Sequence, residues 1–369
     1  MLGLLMELGP CLVQEDGTLK KNPYGWNKKA NIIFLDQPIN TGFSYGKNSS
    51  ENSLAAAADV YVFLQMFFQK FPKYQKLEFH IFGESYGGHY VPDIAAYIDE
   101  KNAVSSSSSI NLASIGIGNG DTDPLIQYGY YAEMACNNTY EPILKKKECL
   151  KMQSEFPACR KKIKKCYASK KVKKCVKAED YCEKVLMGPF SQTGLNPYDI
   201  RRKCGDNPLC YDLTATIEAF LRKESLREEL GAANPKDFKA CSGKVGKRFY
   251  KSGDQMYPLV EKIPQLLSSG IRVLIYAGDA DFICNWLGNK AWTLNLDWEG
   301  RDGYNRVIDR LWTVDYQGEK GSIQVAGGEV RSAYNLTFLR IFSAGHMVPY
   351  DQPQIAQIMF NSWLDMSLS

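Results

Sequence analysis

A serine between two glycines is the residue of this sequence best suited to act as a nucleophile. Residues 83–87 form a G-x-S-x-G motif, which follows the apolar run 77–82 and precedes a predicted helix over 88–98. Flanking glycines suit a turn too tight for a Cβ, and such a turn holds the serine hydroxyl above the sheet. The motif is common by chance, but its position between a strand and a helix predicts that Ser85 is a nucleophile.

A serine nucleophile needs a base, and the sequence contains only three histidines. His80 lies within the predicted strand before the motif, and His89 lies on the helix after it, so both are interpreted as packing residues. His346 follows a predicted strand over 337–342 through a short loop that can turn back toward Ser85. We therefore predict that His346 is the general base.

Two aspartates are candidates for the third member of a catalytic triad. Asp279 and Asp281 follow the predicted strand over 271–277, in the order serine, aspartate, histidine that one class of α/β enzymes uses. Either carboxylate can orient the imidazole and stabilise its protonated form. Spacing alone leaves the choice open, and the other aspartate would be a turn residue.

Five blocks of this sequence resemble the serine carboxypeptidase family, in family order from about Leu2 to the C-terminus, and are closest to its vacuolar members. The blocks are DQPINTGFSY (36–45), GESYGGHY (83–90), GNGDTDP (118–124), YAGDADFICNWLGNKAW (276–292) and GHMVPYDQP (345–353). The resemblance implies an α/β-hydrolase fold with a mainly helical, disulfide-rich cap. It also implies that Ser85 is the nucleophile, Asp281 the orienting aspartate and His346 the general base. Asp279 then has a structural role.

The family removes the C-terminal residue of peptides, so its site must recognise a free α-carboxylate. In the family pattern Glu84 faces a second glutamate, which Glu7 matches in this sequence. Because two close carboxyls rarely both ionise, one is expected to have a raised pKa and to donate a hydrogen bond to the substrate. We expect peptidase activity that is highest in acid and declines as the pair loses its shared proton. Without the resemblance, Glu7 would be interpreted as a solvated helix residue.

The resemblance implies an apolar pocket, lined by Tyr86, Tyr128 and Tyr131, for the residue before the scissile bond. Two positions depart from the family pattern: Asp121 replaces a leucine, and Gln255 replaces a tryptophan. We hypothesise a more polar pocket that tolerates basic or hydrophilic side chains. Alternatively, Asp121 only caps the following turn.

Two further residues, Cys284 and Met347, match positions around the leaving residue. Cys284 is expected to be an unpaired thiol near the triad. A mercurial reagent should then inhibit by blocking the site.

Eleven cysteines are present, and eight of them fall between Cys136 and Cys210. Disulfides, a zinc site and incidental thiols are the three interpretations. Paired C-x₂-C spacing is absent and histidine is almost missing there, so disulfides formed in an oxidising compartment are favoured. The pairs that the resemblance implies are Cys136 with Cys149, Cys159 with Cys182, Cys166 with Cys175, and Cys204 with Cys210. It leaves Cys241 unpaired and gives Cys11 no partner.

Three sequons, at Asn48, Asn137 and Asn335, predict glycosylation and passage through the secretory pathway. A vacuole or lysosome-like compartment and secretion remain equally open. The formal net charge is +4, from 45 basic and 41 acidic residues, which gives no reason to expect nucleic acid binding. No apolar run approaches the roughly 18 residues of a membrane span. We expect a monomer that needs no cofactor or metal and acts on peptides or proteins with a free C-terminus.

The pattern of elements predicts a hydrolase core over 1–123 and 258–369, with an inserted cap over 124–257. In the core we predict a strand over 31–35, a helix over 54–71 and a strand over 112–117. The serines at 105–109 are interpreted as a surface loop. In the cap, lysines cluster at 145–147, 161–165 and 170–174. A solvated basic face is the favoured interpretation, and a protease processing site or a surface for acidic peptides is the alternative.

The beginning of the sequence departs from the family pattern. Family members have an Asn-Gly-Gly-Pro-Gly-Cys-Ser-Ser segment before the position of Leu2, and this sequence has no counterpart. That segment supplies one oxyanion donor in the family, so the Tyr86 N–H is the donor expected here; losing one donor typically lowers the rate by about 10² to 10³. The strand before the segment would separate the predicted strands over 31–35 and 77–82. We hypothesise an N-terminally truncated sequence.

Three functions are consistent with these residues. The first is a serine carboxypeptidase that forms an acyl-enzyme at Ser85. The second is an acyltransferase on the same scaffold, which the pair of Glu7 and Glu84 disfavours. The third is a catalytically inactive binding homologue, which the complete triad disfavours.

Overall fold

The computed structural model describes residues 1–104, 109–232, 238–318 and 321–368. Most of the predicted serine loop, residues 105–108, lies outside the described residues. The strands are β1 (Cys11–Val13), β2 (Leu19–Lys21), β3 (Phe79–Glu84), β4 (Leu112–Gly118), β5 (Leu195–Asn196), β6 (Asp199–Lys203), β7 (Arg272–Gly278), β8 (Arg310–Gly318), β9 (Gly321–Ala333) and β10 (Leu336–Ile341).

Helices surround these strands. The α-helices are α1 (Ser53–Lys70), α2 (Gly87–Val104), α3 (Pro124–Gln127), α4 (Tyr131–Cys136), α5 (Lys146–Ser169), α6 (Val172–Cys182), α7 (Gly188–Ser191), α8 (Leu213–Leu221), α9 (Glu224–Glu229), α10 (Gly243–Ser252), α11 (Ile263–Ser268), α12 (Trp286–Asn295), α13 (Arg301–Arg306), α14 (Val348–Asp351) and α15 (Pro353–Leu364). Short π-helices span Gly3–Glu7 and Glu183–Met187, and short 3₁₀ helices span Trp26–Lys28, Pro72–Tyr74, Tyr128–Tyr130, Pro208–Cys210, Asp254–Met256 and Leu259–Lys262. None of the described helices is both long and apolar enough to cross a membrane.

A six-stranded mixed sheet in the order β3, β4, β7, β10, β9, β8 forms the centre of the molecule. Its first four strands are parallel, and β10, β9 and β8 pair antiparallel. In β7 the side chains alternate between two buried clusters: Leu274 and Tyr276 lie on the face covered by α15, and Val273 and Ile275 lie on the opposite face. Burial on both faces explains why the predicted strand is a continuous apolar run.

The carboxyl ends of the parallel strands carry the loops that hold the candidate residues. The predicted strands over 77–82, 112–117, 271–277 and 337–342 correspond to β3, β4, β7 and β10, with ends shifted by no more than two residues. The predicted helices are α1 and α2. In α1, the Asn52 side chain accepts a hydrogen bond from the Ala55 N–H at 2.8 Å and so caps the helix.

Residues 31–35 form no strand, so that prediction is wrong. Strand β3 lies at the edge of the sheet, and no described strand pairs with its outer side. An apolar run becomes a strand only where a neighbour satisfies its backbone N–H and C=O groups. Without that neighbour, Ile33 is 40% and Leu35 36% exposed, although Ile32 packs against the cluster that contains Phe82.

The described residues between 124 and 257 contribute no strand to the central sheet and are mainly helical. This segment contains the disulfides Cys136–Cys149, Cys159–Cys182, Cys166–Cys175 and Cys204–Cys210, which are the four pairs that the resemblance implied. Two of them join α5 to α6. The thiols of Cys11, Cys241 and Cys284 are free, as expected. The clustered lysines are exposed except Lys162, which is half-buried and covers the ring of Tyr181.

Candidate active site

Ser85 occupies a strained turn between β3 and α2. Its φ is +61°, a left-handed conformation that is uncommon for residues other than glycine. The Ser85 N–H donates to the Gly118 carbonyl at 3.0 Å, and the Ser85 carbonyl accepts from the N–H groups of Gly88 and Asp121 at 2.9 and 3.0 Å. These three bonds fix the turn against the end of β4.

Of the glycines at this turn, Gly83 and Gly88 are closely packed, whereas Gly87 is not. A Cβ on Gly83 would lie 2.9 Å from the Val91 side chain, whereas one on Gly87 would meet nothing closer than 4.0 Å. A Cβ on Gly88 would lie 2.4 Å from the Asp121 carbonyl oxygen. Close packing of the helix start against the loop after β4 therefore requires Gly88, and Gly87 has room for a side chain.

His346 and Asp281 form a buried hydrogen-bonded pair. The Nδ1 atom of His346 lies 2.7 Å from Oδ2 of Asp281, and the two residues are 3% and 0% exposed. Asp281 also accepts bonds from the Asn119 amide at 2.8 Å and from the N–H groups of Ile283 and Cys284 at 3.1 and 3.3 Å. These donors stabilise the carboxylate and fix its position. The Nε2 atom of His346 has no hydrogen-bond partner among the described residues.

The neighbouring aspartate has different partners. Asp279 accepts bonds from the Tyr140 hydroxyl at 2.6 Å, the Arg340 guanidinium at 3.1 Å and the Ser343 N–H at 3.0 Å. All three tie the loop after β7 to other parts of the chain. The geometry thus pairs the imidazole with Asp281 and leaves Asp279 in a structural position, a choice that spacing alone left open.

The side chains of Glu7 and Glu84 lie close enough to each other to interact directly, and Glu84 immediately precedes Ser85. Glu7 is buried at the end of the first π-helix, and Glu84 is half-buried and accepts a bond from the Tyr276 hydroxyl at 3.1 Å. Burial raises the pKa of both carboxyls, and the adjacent Glu7 raises the pKa of Glu84 further. Two buried carboxyls this close do not both ionise readily, so the pair keeps one proton at a pH where an ordinary carboxyl has lost it.

Of the residues predicted to line a pocket, Tyr128 and Tyr131 contact each other, with ring centroids 5.1 Å apart. The Tyr128 hydroxyl donates to Glu183 at 2.6 Å, and the Tyr131 hydroxyl donates to the Ile283 carbonyl at 2.8 Å. The Gln255 amide donates to Asp121. The first of these hydrogen bonds lies within residues 124–257, and the other two join that segment to the loops after β7 and β4.

The alternative interpretation of Asp121 as a turn cap is not supported. Asp123 is the residue that caps α3, because its side chain accepts a bond from the Leu125 N–H at 3.1 Å. Gln127 accepts the N–H groups of Thr122 and Asp123, both at 2.7 Å. The Asp121 carboxylate therefore does not cap this turn.

Tyr86 follows the nucleophile directly, and its backbone lies at the N-terminus of α2. Its hydroxyl donates to Asp254 at 2.6 Å, and its ring stacks on His89 with centroids 4.6 Å apart. These contacts hold the Tyr86 backbone in place. The other two histidines are packing residues: His89 is fully buried, and Nδ1 of His80 lies 2.7 Å from the Ser114 hydroxyl.

Cys284 is buried beside the His346–Asp281 pair. Donor atoms of Asp281, Cys284 and His346 lie within 4.8 Å of one another, but Asp281 and His346 already bond to each other. Burial raises the pKa of the Cys284 thiol well above its usual value, and nearby Asp281 raises it further. The thiol is thus neutral and a poor nucleophile. Met347 is buried against a cluster that contains Leu5.

Several residues of this site were not predicted. Asn119 lies within the block 118–124, so its position beside a strand end was a usable signal. Tyr276 lies in another block but was interpreted only as a strand residue. Glu179 and Glu183 gave no signal, because only the folding of the cap brings them toward Asp121.

A nucleophile at the end of a parallel strand, followed by an aspartate and a histidine on later strand ends, is the arrangement of an α/β-hydrolase. The sequence pattern described as serine carboxypeptidase matches residues 1–366. The chain belongs to this family.

Known proteins are similar over almost the whole chain. A carboxypeptidase Y homolog A from Leptosphaeria maculans is 46% identical over 365 residues, and a carboxypeptidase Y from Candida albicans is 44% identical over 365 residues; each match covers 99% of this chain. The chain spans 65% of the length of these curated relatives. The crystal structure of a prohormone-processing carboxypeptidase from Saccharomyces cerevisiae is similar with a TM-score of 0.86 and 26% identity, over 99% of this chain and 80% of that one. The fold is that of an α/β-hydrolase.

Proposed function

We propose that this protein is a serine-type carboxypeptidase that releases C-terminal amino acids from peptides in acid. The observation that carries the proposal is the close, buried pair of Glu7 and Glu84, whose pKa values are both raised, adjacent to the nucleophile position. A triad alone fits many acyl transfer reactions. A proton-sharing carboxyl pair beside it fits a substrate that has a free carboxylate.

In the proposed mechanism, the Ser85 hydroxyl attacks the last peptide carbonyl while His346 Nε2 takes its proton. Asp281 stabilises the imidazolium through the 2.7 Å bond to Nδ1. The Tyr86 N–H donates to the oxyanion of the tetrahedral intermediate. His346 then returns the proton to the leaving amine, and a water molecule hydrolyses the acyl-enzyme by the same steps.

The carboxyl pair determines where the chain is cut. In its singly protonated state the pair can donate a hydrogen bond to the α-carboxylate of the leaving residue. When both carboxyls are ionised, they repel that carboxylate. Because the pKa of Glu84 is raised well above its usual value, substrate binding is strongest in acid and weakens as pH rises through the raised pKa.

The finer assignments follow from this reaction. Tyr86, Tyr128 and Tyr131 line the pocket for the penultimate side chain, and Cys284 and Met347 lie near the leaving residue.

We assign residues 124–257 to a cap inserted in the hydrolase core. The four disulfides favour an oxidising compartment of the secretory pathway, with glycans at Asn48, Asn137 and Asn335. We propose that the protein is a monomer.

The test of this proposal is release of free amino acid from an N-blocked dipeptide at acid pH. A fluorophosphonate should also label the protein at Ser85. The Ser85→Ala variant should neither release amino acid nor be labelled. Labelling without amino acid release would contradict the carboxypeptidase assignment and favour acyl transfer to another acceptor.

A further inference from the structure

A buried carboxyl and two half-buried ones lie beside the proposed pocket for the penultimate side chain. Asp121, Glu179 and Glu183, here called the acidic wall, come from the loop after β4 and from the cap. Asp121 is 8% exposed, and its N–H bonds the Ser85 carbonyl at 3.0 Å. Its carboxylate is close enough to Glu183 and Glu179 for their charges to raise its pKa, after burial as the larger cause. The wall is thus adjacent to the nucleophile.

The partners of the acidic wall are uncharged donors. Gln255 donates to Asp121, and the Tyr128 hydroxyl donates to Glu183 at 2.6 Å. One oxygen of Glu179 is buried without a partner among the described residues. In the described parts of the chain, no lysine or arginine forms an ion pair with the wall. Three carboxyls therefore lie together without a cation.

His89 is a second, independent sign of an unfilled polar site. Its side chain is fully buried, and neither ring nitrogen has a hydrogen-bond partner among the described residues. Its Nε2 atom faces Oδ2 of Asp121 at 4.0 Å. Burial lowers the pKa of His89 to about 3, so the ring is neutral and forms no ion pair with Asp121. A buried polar group without partners is costly unless a ligand or water satisfies it.

The acidic wall and the pair of Glu7 and Glu84 have different neighbours. Glu7 belongs to the π-helix whose Leu5 and Met6 pack with Met347, the residue proposed to lie near the leaving residue. Asp121 instead bonds to Gln255, and the charges of Asp121 and Glu183 reach Tyr128 and Tyr131, which are proposed to line the penultimate pocket. If the Glu pair holds the leaving residue, the wall is on the acyl side.

We propose that Asp121, Glu179 and Glu183 bind the cationic side chain of a penultimate lysine or arginine, so that the enzyme prefers such peptides. This proposal rests on the proposed carboxypeptidase function. A long basic side chain can lay its apolar stem beside Tyr128 and Tyr131 and place its charged end among the carboxyls. Its donors would satisfy the oxygens that the protein leaves without partners.

The test compares N-blocked dipeptides with C-terminal leucine and a penultimate lysine, norleucine or glutamate. Norleucine has the carbon chain of lysine without the ammonium group, so it isolates the charge. We expect kcat/KM for lysine to exceed that for norleucine by about tenfold or more, and glutamate to be worst. Asp121→Asn should bring the ratio of lysine to norleucine close to one.

Two further variants make this test specific. Glu183→Gln should lower the same ratio even if Asp121→Asn folds poorly. Glu224→Gln is the control, because Glu224 is exposed on α9 in the same segment of the chain, and it should leave the ratio unchanged. A ratio near one in the unaltered protein, or an unchanged ratio in both wall variants, would overturn the proposal.

Binding separates this inference from the proposed function. Calorimetry on Ser85→Ala should show that the lysine peptide binds about tenfold more tightly than the norleucine peptide, and Asp121→Asn should abolish the difference. If no peptide is cleaved but this binding preference is present, the carboxypeptidase assignment fails and the acidic wall stands. If the norleucine peptide is cleaved and no preference for lysine appears, the wall fails and the carboxypeptidase stands.

Discussion

The two groups of buried carboxyls beside Ser85 differ in what their oxygens contact. Glu7 and Glu84 lie against each other, so the pair holds a proton. Asp121 and Glu183 instead accept hydrogen bonds from an amide and a phenol, neither of which carries a positive charge. The first group can donate a hydrogen bond to an anion, and the second can accept hydrogen bonds from a cation. Residue type alone would give the two groups the same role; their partners distinguish them.

The proposed reaction at Ser85 also depends on the carboxylate of Asp281. We expect Asp281→Asn to lower kcat by about 10⁴-fold, because the amide cannot hold the imidazole in the correct tautomer or stabilise its charge. Initial rates on a blocked dipeptide measure this effect.

Asp279→Asn is the matched control for this prediction. It weakens the buried contact with Arg340 and should lower the melting temperature while the folded enzyme keeps most of its kcat. Equal losses of kcat in the two variants would contradict the assignment of Asp281.

A mercurial reagent should inhibit the enzyme slowly by modifying Cys284. This thiol is buried and neutral, so it reacts slowly, but it lies beside the triad, where a mercury adduct would block substrate. Cys284→Ser should be resistant to the reagent. The matched control is Cys241→Ser, which removes the exposed free thiol and should remain sensitive. Inhibition that persists in Cys284→Ser would place the sensitive group elsewhere.

Glu84→Gln should flatten the loss of substrate affinity at higher pH. In the unaltered enzyme, KM rises as pH increases through the raised pKa of Glu84, because the pair becomes doubly charged and repels the substrate carboxylate. An amide remains a donor at every pH, so the variant should lack this rise, which we expect to be about tenfold.

Steady-state kinetics from acid to neutral pH would measure that change in KM. Glu15→Gln removes an exposed glutamate and should keep the profile of the unaltered enzyme. An unchanged rise of KM in Glu84→Gln would show that the pair does not hold the carboxylate.

Buried carboxyls that contact no substrate should affect stability rather than kinetics. Burial raises the pKa of Asp93 to about 6, although its oxygen accepts a bond from the Ser53 hydroxyl at 2.6 Å. The folded state then binds more protons than the unfolded state between about pH 4 and 6. Its contribution to stability is therefore full below about pH 4 and is lost as pH rises through 6. Asp93→Asn should reduce the fall in melting temperature over this range by a few degrees. Asp59→Asn, at an exposed position, is the control in thermal unfolding followed by circular dichroism.

The sequence was most informative for candidate catalytic residues that follow the end of a strand. Ser85 and His346 could be predicted from local pattern, because each follows an apolar strand directly. The choice of Asp281 over Asp279 depended on the resemblance, because both aspartates have the same local pattern. Only their partners, His346 for one and Arg340 for the other, separate them.

The errors and omissions have a common physical cause, which is pairing between distant parts of the chain. Residues 31–35 have the composition of a strand but no neighbouring strand in the described structure. The hairpin of β8 and β9 was not predicted, although its register extends over nine residue pairs. Glu179 and Glu183 approach Asp121 only because the cap folds, with two disulfides joining α5 and α6. Such contacts between distant residues cannot be predicted from a short stretch of sequence.

The central claim is that a protonated carboxyl pair beside a serine nucleophile makes this protein an enzyme for free C-termini. The most direct measurement compares kcat/KM at acid pH for one blocked dipeptide as the free acid and as the C-terminal amide. The account predicts efficient cleavage of the acid, much slower cleavage of the amide and a smaller difference between them at neutral pH. Equal rates for acid and amide at every pH would contradict it.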